Sequence, residues 1–282
     1  VRILDDLSTG KRENPPATAE IAVGDVADPA AVRQAMAGVD GCFHLAAIAS
    51  VQRSNEEWAL THRVNAGGTV NVLDAARTAR DGRPVPVVYA SSAAVYGDNP
   101  AVPLSEDKDK RPLTAYGADK LASELHARVA GQVHGVPTAI LRFFNVYGPR
   151  QDPGSPYSGV ISIFADRLLR GETATINGDG TQVRDFIYVG DVVAFLLSAM
   201  DNASVAAEAY NVCTGEAASL LDLVAAVSDA GGGALDVRHG PARPGDVHRS
   251  VGDPSRAAQA LGLRAQTPLR DGLAKLFAAL RK

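Results

Sequence analysis

Tyr116 and Lys120 stand four residues apart in Tyr116-Gly117-Ala118-Asp119-Lys120. On a helix that spacing puts both side chains on one face. A phenol ordinarily titrates near ~10, too high for a base at neutral pH. A neighbouring ammonium and a cationic nicotinamide ring both favour the phenolate. Such a phenolate could take a proton from a sugar hydroxyl while hydride leaves the same carbon. Lys120 could also hold the ribose hydroxyls of a cofactor. Alone the pair is not diagnostic, because surface helices carry Tyr-x-x-x-Lys by chance.

A second hydroxyl stands upstream. Val87-Val88-Tyr89-Ala90 reads as a strand running into Ser91-Ser92-Ala93-Ala94-Val95-Tyr96-Gly97. A group at a strand's carboxyl end sits where open α/β sheets bind ligands, so Ser92 could hydrogen-bond the reacting oxygen. It also reads as a serine that closes a turn. Asp5 ends the first strand and could accept bonds from adenosine ribose hydroxyls, which repels a 2′-phosphate and favours NAD over NADP. Asp25 ends the next strand and could meet the adenine edge. Either carboxylate also reads as a strand-end turn residue. Leu45-Ala46-Ala47-Ile48-Ala49 offers small side chains where backbone can approach a dinucleotide.

The elements that must position these residues alternate. Strands are expected at Val1 to Leu4, Ala19 to Val23, Gly41 to Leu45, Pro86 to Ala90 and Thr138 to Phe143. Helices are expected from Pro29 to Met36, with Asp28 as N-cap, from Trp58 to Ala79 and from Tyr116 to Ala130. That alternation implies βαβ units and a parallel sheet with helices on both faces. After Tyr147-Gly148-Pro149 the texture changes. A helix from Val160 to Arg170, a turn at Asn177-Gly178-Asp179-Gly180, a strand from Asp185 to Val189 and a helix from Asp191 to Met200 follow.

Bulk properties narrow the class. The 282 residues are 46% hydrophobic, enough for a large core. A net charge of −4 with scattered Lys and Arg offers no footprint for nucleic acid or an anionic membrane. No apolar run reaches the roughly 18 residues that span a bilayer. Cys42 and Cys213 lie among apolar residues and read as two buried thiols rather than a disulfide or metal site, which suits a reducing, cytoplasmic compartment.

Taken together, Asp5-Asp6-Leu7-Ser8-Thr9-Gly10, His44-Leu45-Ala46-Ala47, the Ser91 to Gly97 segment, Tyr116-x-x-x-Lys120, Arg142 to Pro149 and Arg184-Asp185-Phe186-Ile187-Tyr188-Val189 resemble the extended short-chain dehydrogenase/reductase family. The resemblance is to its NAD-dependent epimerase/dehydratase type, nearest the UDP-sugar 4-epimerases, and runs from Val1 to about Ala279. It implies a Rossmann-type doubly wound parallel sheet with a smaller mixed α/β substrate domain. The NAD domain would span 1–148 with a return at about 184–203, and the nucleotide-sugar domain 149–183 and 204–282. Tyr116 would be the acid/base, Lys120 its electrostatic partner and Ser92 its assistant. Around NAD the resemblance places Asp5, Asp6, Ser8, Thr9, Gly10, Asp25, Val26, Leu45, Ala46, Ala47, Ala49, Asn65, Ser91, Tyr116, Lys120 and Phe144. Around the UDP-sugar it places Ser92, Tyr116, Asn145, Val160, Ile161, Thr175, Asn177, Arg184, Arg243, Asp246 and Ser250. The two arginines suit a pyrophosphate, although each also reads as a surface ion pair. A homodimer is implied too, through helices near Trp58 to Ala79 and Tyr116 to Ala130.

Departures from the family pattern refine the reaction. Dehydratases of the family carry an Asp-Glu pair just after the strand-end Ser/Thr, and related decarboxylases keep a glutamate there. This chain has Ala93 and Ala94, without acid/base capacity. Epimerisation through a transient 4-keto sugar is the simpler expectation. A reductase or 4,6-dehydratase on the same scaffold, or a non-catalytic dinucleotide-binding protein, are the alternatives. Ser250 stands where related epimerases restricted to non-acetylated sugars carry a tyrosine, so N-acetylhexosamines are expected to fit. No Gly-rich turn precedes Asp5. The expectation is a longer protein whose first strand–helix unit lies outside this sequence. A chain truly beginning at Val1 would expose neighbouring strands and bind NAD weakly.

Overall fold

The computed structural model describes residues 1–155, 159–242 and 247–281. The β-branched runs form parallel strands. β1 (Arg2–Asp5) pairs with β2 (Glu20–Val23), Arg2 opposite Glu20 and Asp5 opposite Val23. α1 (Pro29–Met36) follows, capped by Asp28, whose carboxylate accepts from Ala30 N at 2.8 Å. Pro29 takes the first helical position, where a missing N–H costs nothing. β3 (Cys42–His44) comes next.

The expected Trp58 to Ala79 helix is interrupted. After α2 (Val51–Glu56), α3 (Trp58–His62) passes through a π-helical turn at Arg63–Gly67 into α4 (Gly68–Ala76). β4 (Val87–Ser92) leads to the site, α5 (Ala115–His134) carries Tyr116 and Lys120, and β5 (Thr138–Phe143) follows. α5 starts at Thr114, whose hydroxyl accepts from Gly117 N at 3.1 Å. It stops at Gly135, whose φ of 68° lies in the left-handed region that favours glycine.

The remaining elements are β6 (Asn145–Tyr147), α6 (Val160–Arg170), β7 (Ala174–Asn177), β8 (Val183–Arg184), β9 (Phe186–Tyr188), α7 (Val189–Asp201), β10 (Glu208–Val212), β11 (Ala218–Ser219), α8 (Leu220–Gly231), β12 (Val237–Gly240), β13 (Arg249–Ser250), α9 (Ser255–Leu261) and α10 (Leu269–Leu280). The strand expected from Asp185 to Val189 is β9, shorter at both ends: Asp185 lies outside it and Val189 opens α7, while a further two-residue strand, β8, precedes Asp185.

The chain divides into two compact units. The first comprises Val1–Val95, Pro112–Arg142 and Leu196–Tyr210, the second Tyr96–Arg111, Phe143–Phe195 and Asn211–Lys282. A four-stranded sheet runs β10-β5-β4-β3. β1 and β2 form a separate pair, and among the described residues no ladder joins β1 to β3. Phe43 in β3 and Leu45 just after it are 41% and 52% exposed. The first unit's core gathers Val32, Val72, Leu73, Val87, Tyr89, Ala127 and Ile140. The second unit's core gathers Ile161, Phe164, Ile176, Leu223, Val227, Leu273 and Phe277. Both cysteines are free thiols; Cys213 is buried and Cys42 half-buried, and burial pushes the Cys42 thiol up to about 11.

Candidate active site

The chemistry gathers at the carboxyl end of β4. Ser91 is buried and its hydroxyl donates to Glu124 Oε1 at 2.6 Å. Ser92 is half-buried and its oxygen accepts from Ala94 N at 3.1 Å. Its hydroxyl also hydrogen-bonds Tyr116. On α5, Lys120 is buried and donates from Nζ to Ala90 O at 2.6 Å. That nitrogen lies 5.7 Å from the Tyr116 ring centre and 4.9 Å from that of Tyr89. Ser92, Tyr116 and Lys120, predicted as one catalytic group, are brought together.

Their electrostatics differ from the sequence expectation. Burial raises the Tyr116 pKa, and the Ser92 hydrogen bond opposes it only in part. Burial also lowers Lys120 to about 7, with Asp119 and Glu124 acting to keep it charged. The ammonium therefore does not by itself supply a phenolate here. Burial is the larger influence on Tyr116, and the nearest hydrogen-bond partner of the Lys120 ammonium is a neutral carbonyl.

Behind these groups lies a network the sequence reading did not identify. Arg142 reaches Glu124 through Nε to Oε1 at 2.9 Å and Nη2 to Oε2 at 2.7 Å, both side chains essentially out of solvent. With Ser91 on the same carboxylate, β4, α5 and β5 are tied at one point. The signal was a lone arginine inside an apolar strand, which has to be paired when buried.

The candidates around NAD line the strand ends of the first unit. Asp5 Oδ1 accepts from Leu7 N at 2.7 Å, and Gly10 lies so close that a Cβ there would sit 3.2 Å from both carboxylate oxygens. Asp6 accepts from Ser8 N and Oγ at 2.9 and 2.7 Å. Thr9 is exposed. Asp25 accepts from Ala27 N at 2.8 Å, and Val26 is buried. After β3, Leu45, Ala46 and Ala49 are exposed and Ala47 half-buried.

Asn65 is buried and spends its side chain on the Ile48 backbone, accepting from its N–H at 2.8 Å and donating to its carbonyl at 3.1 Å. It thus shapes the Leu45 to Ala49 turn from behind, and it sits in the π-helical turn, a feature that often marks functional sites. A small-residue turn, a strand-end carboxylate backed by glycine and a buried lysine form a donor set that suits a dinucleotide.

The second unit holds Phe144 and the sugar-nucleotide candidates. Phe144 is buried, 6.4 Å from the Tyr96 ring. Asn145 donates from both its backbone N and Nδ2 to Asp185 O at 3.0 Å. Val160 is half-buried at the start of α6, and Ile161 is in the core. Thr175 Oγ1 accepts from Arg238 Nε at 3.0 Å, and Asn177 O from Gln182 Nε2 at 2.8 Å.

Arg184 and Ser250 are register partners in the parallel β8–β13 pair, and Arg184 Nη1 donates to Val183 O at 2.9 Å. Arg243 and Asp246 lie outside the described residues. Asp185, between β8 and β9, was missed as an organiser. Its buried carboxylate accepts from Thr214 N and Oγ1 at 2.8 and 2.7 Å, from Gly215 N at 2.9 Å and from Gly252 N at 3.3 Å. It holds the backbone at Thr214 and Gly215, and at Gly252 two residues beyond Ser250.

Residues 1–213 match the family model described as the NAD dependent epimerase/dehydratase family. A UDP-glucose 4-epimerase of Mycolicibacterium smegmatis is 37% identical over 280 residues, covering 96% of this chain and 88% of the relative. The crystal structure of a Thermotoga maritima UDP-glucose 4-epimerase with UDP-glucose superposes with a TM-score of 0.93 at 32% identity, covering 99% of this chain and 90% of that one. A Thermus thermophilus UDP-glucose 4-epimerase in complex with NAD gives 0.89 at 36% identity, with the same two coverages of 99% and 90%.

Proposed function

The chain belongs to the NAD dependent epimerase/dehydratase family, and we propose that it inverts C4 of a UDP-hexose. Its Rossmann-type α/β fold and NAD dependence follow from that membership. When bound, NAD would supply a reversible hydride acceptor facing the sugar carbon.

The observation that carries the reading is the convergence of Ser92, Tyr116 and Lys120 at the end of β4, with alanines at 93 and 94. Tyr116 takes the proton of the C4 hydroxyl as hydride leaves that carbon, giving a 4-keto sugar. It returns the proton when hydride arrives on the opposite face. Ser92 holds the same oxygen. Lys120, in its charged form, favours the phenolate and binds the cofactor ribose. Ala93 and Ala94 have no group with which to eliminate water, which supports epimerisation over dehydration.

In the second unit Arg184, with Arg243, is assigned to the diphosphate. Ser250 is assigned to the sugar, so UDP-glucose/galactose and UDP-GlcNAc/GalNAc both fit this reading. Exposed Trp58, Val70, Leu125, Val129 and Val133 on α3, α4 and α5 support a homodimer through those helices. Two thiols without a disulfide suit a reducing cytoplasm.

The test is incubation of purified protein and NAD with a panel of UDP- and dTDP-sugars. Interconversion of 4-epimers without net NADH consumption is expected. Tyr116→Phe should lower the rate by about 10²- to 10⁴-fold. Water loss, net NADH use, or a Tyr116→Phe variant of unchanged activity would sink this assignment.

A further inference from the structure

Asp185 stands where the chain passes between two small sheets of the second unit. Before it, β8 holds only Val183 and Arg184 and pairs with β11 and β13. After it, β9 pairs with β6. Strands this short make few ladder bonds of their own. The backbone of Asp185 supplies the join. Its N–H donates to Ser250 O at 3.0 Å, and its carbonyl accepts from Asn145 N and Nδ2, each at 3.0 Å. One residue thus bonds Asn145 and Ser250 directly and follows Arg184 in the chain. All three are assigned to the sugar nucleotide.

The side chain closes the arrangement. It is buried, and its Oδ1 accepts from Thr214 N and Oγ1, its Oδ2 from Gly215 N and Gly252 N. Thr214 and Gly215 lie in the turn after β10, and Gly252 lies just after β13. The carboxylate therefore ties those two segments to the point where β8 ends. Every one of these donors is neutral, and burying a charge among neutral donors is costly. A carboxylate is nonetheless the side chain of this size that offers acceptors alone at both of its ends. An asparagine in its place turns its amide toward Thr214 N, or toward Gly215 N and Gly252 N, whichever way it is flipped.

We propose that Asp185 is a positioning residue for the sugar-nucleotide site, setting Arg184 of β8 and Ser250 of β13 relative to Asn145 of β6 in the geometry that receives a nucleoside diphosphate. The inference rests on the functional reading above, in which those three residues meet the UDP-sugar. A guanidinium recognises a diphosphate by direction as well as by charge, so a shift of β8 lowers affinity. Holding the groups in place beforehand removes that part of the ordering cost of binding. The groups bonded to Asp185 all belong to the second unit, whereas Ser92, Tyr116 and Lys120 belong to the first. Loss of the carboxylate therefore falls on sugar-nucleotide binding and not on the chemical step.

The test uses the full chain loaded with NAD and takes UDP as the probe, with binding followed by calorimetry. In Asp185→Asn the Kd for UDP is expected to rise at least about tenfold. Affinity for NAD, measured on the unloaded chain, is expected to stay within about twofold. In turnover the KM for the UDP-sugar should rise while kcat at saturation is retained. Thr214→Val, which removes one donor and leaves the carboxylate in place, covers the case in which Asp185→Asn does not fold. It is expected to raise the Kd for UDP about threefold, and Thr214→Ser to restore the wild-type value. An unchanged Kd for UDP in Asp185→Asn, an equal loss of NAD and UDP affinity, or a fall in kcat with KM unmoved overturns the proposal. Where only the Thr214 variants fold, an unchanged Kd for UDP in Thr214→Val overturns it. A wild-type chain that binds no UDP sinks the functional reading and the proposal with it. A wild type that binds UDP, with variants of equal affinity, sinks the proposal alone.

Discussion

A Cβ placed on Gly117 would lie 2.7 Å from the carbonyl oxygen of Ala94, closer than real side chains approach backbone. The first turn of α5 therefore touches the loop after β4, and that contact sets how near Tyr116 comes to Ser92. In Gly117→Ala either α5 or the loop must retreat. A displacement of about 1 Å at a reacting group can cost about 10²-fold in rate. The expected outcome is a kcat lowered by one to two orders of magnitude with helix content unchanged by circular dichroism. Wild-type kcat would show that α5 can shift without disturbing the site.

The Glu124–Arg142 pair gives a stability prediction. Both groups are buried, so removing one charge leaves the other stranded. Such losses cost about 3–5 kcal/mol, whereas replacing both by apolar residues of similar size is often near neutral. Glu124→Gln should lower the urea midpoint markedly, and a Glu124→Leu/Arg142→Met double variant should recover much of it. A double variant less stable than Glu124→Gln would mean that Ser91 and the neighbouring backbone depend on the ion pair for more than charge balance.

Lys120 makes stability depend on pH with a definite sign. The unfolded lysine keeps its proton to 10.5, while the folded one releases it near about 7. Between those values unfolding takes up a proton, so stability rises with pH. The clean window is pH 7 to 9. His44, lowered to about 3, has completed its own contribution by 6.5, and Cys42, raised from 9.0 to about 11, acts with opposite sign only above 9. Within that window the slope attributable to Lys120 is about 1.4 kcal/mol per pH unit. Chemical unfolding at several pH values should show it, and Lys120→Met should flatten it.

Local features were legible in the sequence and long-range pairings were not. α1, α6 and β5 fall on their predicted residues because each is written in a short stretch, with Asp28 and Pro29 opening α1 and Gly171 closing α6. The strand-end hydroxyl and the Tyr116/Lys120 face were legible for the same reason. The π-helical turn was not, because it accompanies the grip of Asn65 on Ile48, seventeen positions away. The Asp119–His62 hydrogen bond joins positions 57 residues apart, and nothing in either local pattern announces the other. The pKa direction of Tyr116 also escaped the sequence, since it depends on how much solvent the fold removes rather than on which residues are neighbours.

Ser250 offers the specificity test. It is half-buried on β13, opposite Arg184 of β8 in a parallel register, and Asp185 donates its backbone N–H to the Ser250 carbonyl at 3.0 Å. Its backbone is thus held by the same residue that follows the arginine assigned to the diphosphate, which leaves side-chain volume as the free variable. Under the proposed function, Ser250→Tyr fills space that an N-acetyl group needs and leaves the non-acetylated pair able to bind. Its kcat/KM for UDP-GlcNAc/GalNAc should fall by at least about tenfold relative to that for UDP-glucose/galactose. Parallel turnover assays on the two sugar pairs decide it. A variant with full activity on the acetylated pair would remove Ser250 from the sugar site, while equal loss on both pairs would place the new ring across the common hexose instead.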